Sequence, residues 1–123
     1  MALMTSAQYV ESLSRMKRNI WFQGQKIEDP INHPLLRPSR RCLEETYDMA
    51  LMPEYEDLMT AVSQFTGSRI NRFNHIHRDR EDLNKKVKLQ RLMGRRTGAC
   101  FQRCVIMDMA NAFYSTTYEI DEK

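Results

Sequence analysis

Three of the chain's four prolines stand at Asp29-Pro30, His33-Pro34 and Arg37-Pro38, and this cluster constrains the fold more than any other feature. Each proline disfavours the α region at the residue before it, so residues 29–38 read as an irregular connection between a short N-terminal piece and a longer C-terminal one. In the first piece, Thr5 followed by Gln8 reads as a capping box, and Tyr9, Leu13, Met16 and Ile20 recur at helical spacing. A first helix is expected over Ser6 to Arg18. Ile20-Trp21-Phe22 and Lys26-Ile27 flank Gln23-Gly24-Gln25, where glycine can supply the positive φ of a tight reversal. This predicts a short β-hairpin near 20–27, with Trp21 and Phe22 as its anchors and no other sheet in the chain.

Pro38 suits the first turn of a second helix, which carries Cys42, Leu43, Thr46, Tyr47 and Ala50 and ends near Met52-Pro53. Glu54 to Met59 would form a short third helix. Thr66-Gly67-Ser68, with Asn71 and Asn74, reads as a loop packed through Ile70, Phe73 and Ile76. Asp79, with Asp82 three positions on, starts a fourth helix bearing Leu83, Val87, Leu89 and Leu92, with Gly94 near its end. A fifth helix, from about Thr97 to Phe113, is crowded with small or flexible residues and reads as buried. Asp108 within it would then have to meet an arginine or a helix terminus. Ser115 or Thr116 could cap a further helix. The fold class expected is mainly α.

The composition, 41% hydrophobic and 28% charged, belongs to a helix-rich globular chain rather than a disordered or fibrous one. No span reaches membrane length, and Glu11, Arg15, Lys17 and Arg18 interrupt the apolar positions a signal peptide would need, so a cytoplasmic location is expected. Methionines such as Met16, Met93 and Met107 are expected to fill core gaps. Arg78 to Cys104 holds nine basic and three acidic residues, a balance of 9 − 3 = +6. That is either a solvated helix face or a field for an anionic partner. Asn84 to Arg96 lacks the aromatic stacking platforms of a nucleic-acid module, which argues against nucleic acid.

Three cysteines, an odd number without a secretory signal, point to reduced thiols or metal ligands rather than a disulfide framework. Cys100 and Cys104 lie four residues apart, and on a helix both thiols would aim at one point. They are either half of a metal site or two small hydrophobes. Cys42, on the second helix, reads as core. His75 and His77 read as capped loop histidines, with metal binding or general-base action as the alternative.

Met4-Thr5-x-x-Gln8-Tyr9-x-Glu11-Ser12-Leu13, Gly24-x-Lys26-Ile27-Glu28, His33-Pro34, Arg37-Pro38-Ser39, Ile70-Asn71-Arg72-Phe73, Lys85-Lys86-Val87-Lys88-x-Gln90-Arg91-Leu92 and Cys100-Phe101-Gln102-Arg103-Cys104 together resemble the 4-hydroxybutyryl-CoA dehydratase family. The resemblance runs on to Ser115-Thr116-Thr117-Tyr118-Glu119-Ile120-Asp121. The wider family includes the oxygenase component of 4-hydroxyphenylacetate 3-monooxygenase, which does not carry this cysteine pair.

The resemblance implies a flavoenzyme fold similar to acyl-CoA dehydrogenases: an N-terminal helical domain, a central β domain and a C-terminal helical bundle, assembled as a homotetramer. Residues 1–123 would be the first of these domains, with the other two absent. It implies FAD and a 4Fe-4S cluster held by three cysteines and one histidine, with Cys100 and Cys104 as two of its ligands and Gln102 facing the substrate or supporting the cluster. The remaining ligands would lie outside this chain, so it would be inactive alone or would work with a separately encoded remainder. The implied reaction converts 4-hydroxybutyryl-CoA to crotonyl-CoA by a radical mechanism in which FAD exchanges one electron and cluster iron acts as a Lewis acid on the departing hydroxyl, with vinylacetyl-CoA isomerase activity besides. Lys85 to Arg96 would then be solvated surface or a contact for coenzyme A phosphates. A flavin-dependent aromatic monooxygenase and a non-catalytic helical interaction module are the alternatives.

Overall fold

The computed structural model describes residues 3–101 and 103–121. The capping box forms: Thr5 Oγ1 accepts from the Gln8 N–H at 3.1 Å, and Gln8 Oε1 accepts from the Thr5 N–H at 2.9 Å. Helix α1 (Ser6–Ser14) follows from it but stops short of Arg18, and Met16 is exposed rather than a core filler. Strands β1 (Ile20–Phe22) and β2 (Gln25–Ile27) pair antiparallel with Ile20 opposite Ile27. Gln23 and Gly24 both take positive φ, 50° and 79°, as a two-residue hairpin turn requires. Only Ile27 is buried in this hairpin. Trp21 is 65% exposed and Phe22 41%, so neither anchors it.

The proline-rich connection leads into α2 (Arg37–Asp48), which has Pro38 in its first turn and continues as tight turns over Met49–Leu51 and Pro53–Tyr55. A single turn, α3 (Glu56–Met59), runs directly into β3 (Thr60–Val62), which pairs antiparallel with β4 (Arg69–Asn71). This second two-stranded sheet corrects the reading of residues 66–74 as loop and of the first hairpin as the only sheet. A three-residue strand is too short to show alternation. The readable signal was the turn, where Gly67 at φ 64° donates to Ser63 O at 2.9 Å. Beyond β4, the turn Arg72–Asn74 buries Phe73 completely, so that anchor holds.

Helix α4 (Arg80–Thr97) starts at Asp79, whose Oδ1 accepts from the Asp82 N–H at 2.9 Å. It runs past Gly94 and ends at Gly98, φ 61°, in the left-handed conformation that closes many helices. Its buried positions are Lys86, Leu89 and Met93, whereas Leu83 and Val87 are exposed. The inward face is displaced because a polar network of Asp82 and Lys86 occupies its first half. Helix α5 (Cys104–Asp121) begins later than expected, since Gly98 breaks the chain away from α4's axis. It then runs unbroken through Ser115 and Thr116. Ser115 and Thr117 donate their hydroxyls back to Asn111 O and Phe113 O and cap nothing. The expectation of a buried helix is also corrected: Met107 and Asn111 are its buried residues, and Asp108 is exposed and needs no partner.

The core is Met49, Ala50, Met59, Phe73, Leu89, Met93, Phe101 and Met107, with Cys42 half-buried against it as expected. Flexible thioethers fill a space enclosed by short, irregularly angled elements. No helix among the described residues is long and apolar enough to cross a membrane.

Candidate functional site

The cysteine pair sits on the segment that joins α4 to α5, not on one helix. Gly98 turns the chain, and the Thr97 hydroxyl braces the turn, donating to Met93 O at 2.9 Å and accepting from the Ala99 N–H at 3.3 Å. Cys100 is exposed, and Cys104, the first residue of α5, is half-buried against the core. Both thiols, like that of Cys42, are free. Gln102 lies outside the described residues. Spacing of four residues therefore delivers the two thiols from a short irregular segment and a helix start, rather than from successive turns of a helix.

Between the cysteines, Phe101 and Arg103 are each 6% exposed. The Phe101 ring packs on Phe73, centroids 5.4 Å apart. The Arg103 guanidinium lies 4.9 Å from the ring centroids of both Tyr47 and Phe73. It donates from Nη1 to Thr46 Oγ1 at 2.9 Å and from Nη2 to Asn74 Oδ1 at 3.2 Å. Tyr47 is itself stacked on Tyr9, centroids 4.9 Å apart, and Asn71 Nδ2 donates to Thr46 O at 2.8 Å. Burial lowers the pKa of Arg103, yet a guanidinium stays charged. A cavity of about 410 Å³ opens beside it, lined in part by Tyr47, Asn71 and Asn74. Arg103 was not singled out from the sequence, because nothing local distinguishes a buried arginine from the solvated ones that surround it in this basic stretch.

A second polar cluster lies at the start of α4. Arg72 donates from Nε to Leu58 O at 2.9 Å and from Nη2 to Thr60 O at 2.6 Å and Asp57 O at 3.0 Å, taking up carbonyls at the end of α3. Its Nη1 meets Asp82 Oδ1 at 3.2 Å, while Asp82 Oδ2 holds His75 Nε2 at 3.0 Å. Burial pushes the Asp82 carboxyl up, but hydrogen bonds from His75 and the Arg78 N–H, with nearby positive charge, hold it below its ordinary value. Lys86 Nζ donates to His75 O at 2.5 Å and lies 3.4 Å from His77 Nδ1. Burial lowers the pKa of Lys86, and burial with the Lys86 charge lowers that of His77. The His77 N–H donates to Asn111 Oδ1 at 2.9 Å, tying this cluster to α5. Both histidines are thus packed, bonded loop residues, as expected.

Among the described residues, no group of three or more His, Cys, Asp or Glu side chains is placed to hold a metal. Cys100 and Cys104 are both free thiols, the first exposed and the second half-buried, four positions apart in the chain. The basic stretch is partly consumed internally. Lys85 pairs with Asp57 at 2.7 Å, Arg96 with Glu45 at 3.2 Å, and Lys86 is buried, leaving Lys88, Arg91 and Arg95 exposed.

Residues 5–123 match the family model described as 4-hydroxyphenylacetate 3-hydroxylase N terminal. The 4-hydroxybutyryl-CoA dehydratase/vinylacetyl-CoA-Δ-isomerase of Clostridium aminobutyricum is 52% identical over 98% of this chain and 25% of its own length. The 4-hydroxyphenylacetate 3-monooxygenase oxygenase component of Thermus thermophilus is 32% identical over 72% of this chain and 18% of its own. Among solved structures, an oxygen-tolerant archaeal 4-hydroxybutyryl-CoA dehydratase from N. maritimus superposes with a TM-score of 0.92 at 44% identity, over 98% of this chain and 24% of that one. The monooxygenase oxygenase component complexed with FAD and 4-hydroxyphenylacetate gives 0.63 at 31% identity, over 74% and 19%. The chain thus spans a quarter or less of these relatives' lengths.

Proposed function

Because the chain belongs to the 4-hydroxyphenylacetate 3-hydroxylase N-terminal family, we propose that it is the N-terminal helical domain of an enzyme of that architecture, and that the enzyme is a 4-hydroxybutyryl-CoA dehydratase with vinylacetyl-CoA isomerase activity. The observation that carries the choice of reaction is 52% identity to such a dehydratase across 98% of the chain, against 32% across 72% for the monooxygenase. In this reading residues 1–123 precede a central β domain and a C-terminal helical bundle of an acyl-CoA dehydrogenase-like fold, working as a cytoplasmic homotetramer or with a separately encoded remainder. The substrate is an acyl-CoA, for which exposed Lys88, Arg91 and Arg95 offer positive charge.

The chemistry explains the need for redox help. Dehydration of a 4-hydroxyacyl thioester must remove an unactivated C3 proton and expel a poor leaving group, which acid and base groups alone do badly. When bound, FAD supplies reversible one-electron exchange for a radical route, and a 4Fe-4S cluster supplies Lewis acidity at the hydroxyl. Within this chain Cys100 and Cys104 would be two cluster ligands, and Gln102 would face the substrate or support the cluster. Phe101 and Arg103 hold the ligand-bearing segment against the core.

The test is anaerobic iron and sulfide analysis with visible spectroscopy on the chain assembled with the downstream region of a matching dehydratase. Iron and sulfide are expected in the assembled protein and are expected to be lost in the Cys100→Ser/Cys104→Ser variant. An assembled protein with flavin and no iron would instead support the monooxygenase alternative.

A further inference from the structure

We infer that Arg103 is a positioning residue: held by Thr46, Asn74 and the rings of Tyr47 and Phe73, it sets where the segment between α4 and α5 delivers Cys100 and Cys104. The described residues of that segment have no regular secondary structure, and Phe101 and Arg103 are the buried ones among them. The two do different things. Phe101 is an apolar ring resting on another ring, a contact that tolerates sliding. Arg103 is directional, since its guanidinium donates two hydrogen bonds and lies over two rings, 4.9 Å from each centroid.

The chemistry of the pocket makes mere space-filling a poor account. A buried guanidinium is ordinarily balanced by a carboxylate, yet Arg103 has no ion pair among the described residues. It is held instead by a hydroxyl, an amide oxygen and two aromatic rings, partners weaker than a carboxylate but several in number. A methionine, used freely elsewhere in this core, would fill the volume without burying charge. What arginine adds is orientation. Arg103 is peptide-bonded to Cys104, so its fixed position is handed directly to the first residue of α5. Ligands that share a metal centre must be held to within about 0.5 Å, and their supporting residues supply that precision. The cluster side of this inference rests on the function proposed above, whereas the anchoring of the segment does not.

The test uses Arg103→Met, Arg103→Lys and Thr46→Val in the chain assembled with the downstream region of a matching dehydratase. The first readout is the alkylation rate of Cys104 relative to Cys42 in iron-free protein under native conditions. Both are half-buried, so global unfolding raises both rates together, whereas loosening of the segment raises that of Cys104 alone. Arg103→Met should raise the ratio by about tenfold or more, and Arg103→Lys nearly as much, because an ammonium has neither the fork nor the plane. Thr46→Val, which removes the hydroxyl that accepts from Arg103 and donates to Leu43 O within α2, should raise it by roughly threefold. An unchanged ratio in Arg103→Lys and Thr46→Val overturns the inference, even where Arg103→Met does not fold. The second readout is iron per chain and the electron paramagnetic resonance signal after reconstitution. Arg103→Lys should lose iron or shift the signal, while Leu89→Ala, destabilised in the core, keeps the wild-type signal. Equal effects from both overturn the positioning role, and a wild type without iron refutes the cluster reading while the alkylation ratio still decides the anchoring.

Discussion

Asp82 bonds two buried side chains, Arg72 and His75, at once. One carboxylate oxygen faces Arg72, and the other holds His75 Nε2 and the Arg78 N–H. Its folded pKa is depressed, so its contribution to stability is present above the unfolded carboxylate value of about 4 and is lost as pH falls through the folded value. Asp82→Asn should therefore cost about 3 kcal/mol near pH 7, because Arg72, with its side chain 5% exposed, is left without that counter-charge. Urea unfolding at about pH 7 and pH 3 should show the gap between wild type and variant narrowing in acid. A gap that does not change with pH would mean that shape, not charge, sets the cost. The spacing of Asp79 and Asp82 was legible as a helix start. The inward role of Asp82 was not, because Arg72 and His75 reach it from outside α4.

At the scale of elements, the end of α4 explains both a successful and an unsuccessful reading. Gly94 and Gly98 look alike in the sequence, yet one is helical and the other left-handed at φ 61°, and a Cβ added to either meets nothing within 4 Å. Backbone preference alone then sets the sign of each substitution. Gly98→Ala should destabilise by about 1 kcal/mol, and Gly94→Ala should stabilise by about 0.5–1 kcal/mol. Thermal unfolding of the two variants should move in opposite directions, and a shared sign would overturn the assignment of Gly98 as the cap. The capping box at Thr5 and the cap at Asp79 were readable because each is a local bond between near neighbours. Gly98 fell inside the expected fifth helix, because the four-residue cysteine spacing fits a helix as well as it fits a loop entering one. The pair β3 and β4 escaped because its stability comes from the turn and from packing against α3, not from any pattern three residues can display.

At the scale of the molecule, α5 decides how the chain is held together. Apolar residues run around this helix, and a sequence of that kind reads as buried on all sides. One stripe is buried, through Met107 and Asn111, with Cys104 half-buried beside them. The remainder faces outward, with Val105 67%, Phe113 63% and Ile120 64% exposed. Hydrophobic composition records what a helix can bury against but not which neighbour is present, which is why the resemblance to a longer enzyme was legible in scattered motifs while the covering of this helix was not. Near the start of α5, Arg103 is bonded to Thr46, Met107 lies in the core, and Asn111 accepts from the His77 N–H. Beyond Asn111 the Tyr114 ring meets Phe65 edge-on, centroids 5.7 Å apart, and residues 112–121 are exposed. Hydrogen exchange on the chain should therefore be graded along one continuous helix, with amides up to Asn111 protected nearly to the global limit and those beyond Phe113 exchanging faster by about two orders of magnitude. Assembly with the downstream region of a matching dehydratase should slow the second group selectively if the outward face of α5 is an internal surface of the complete enzyme. Protection that is already uniform in the chain alone would place the grip on α5 along its whole length rather than at its start.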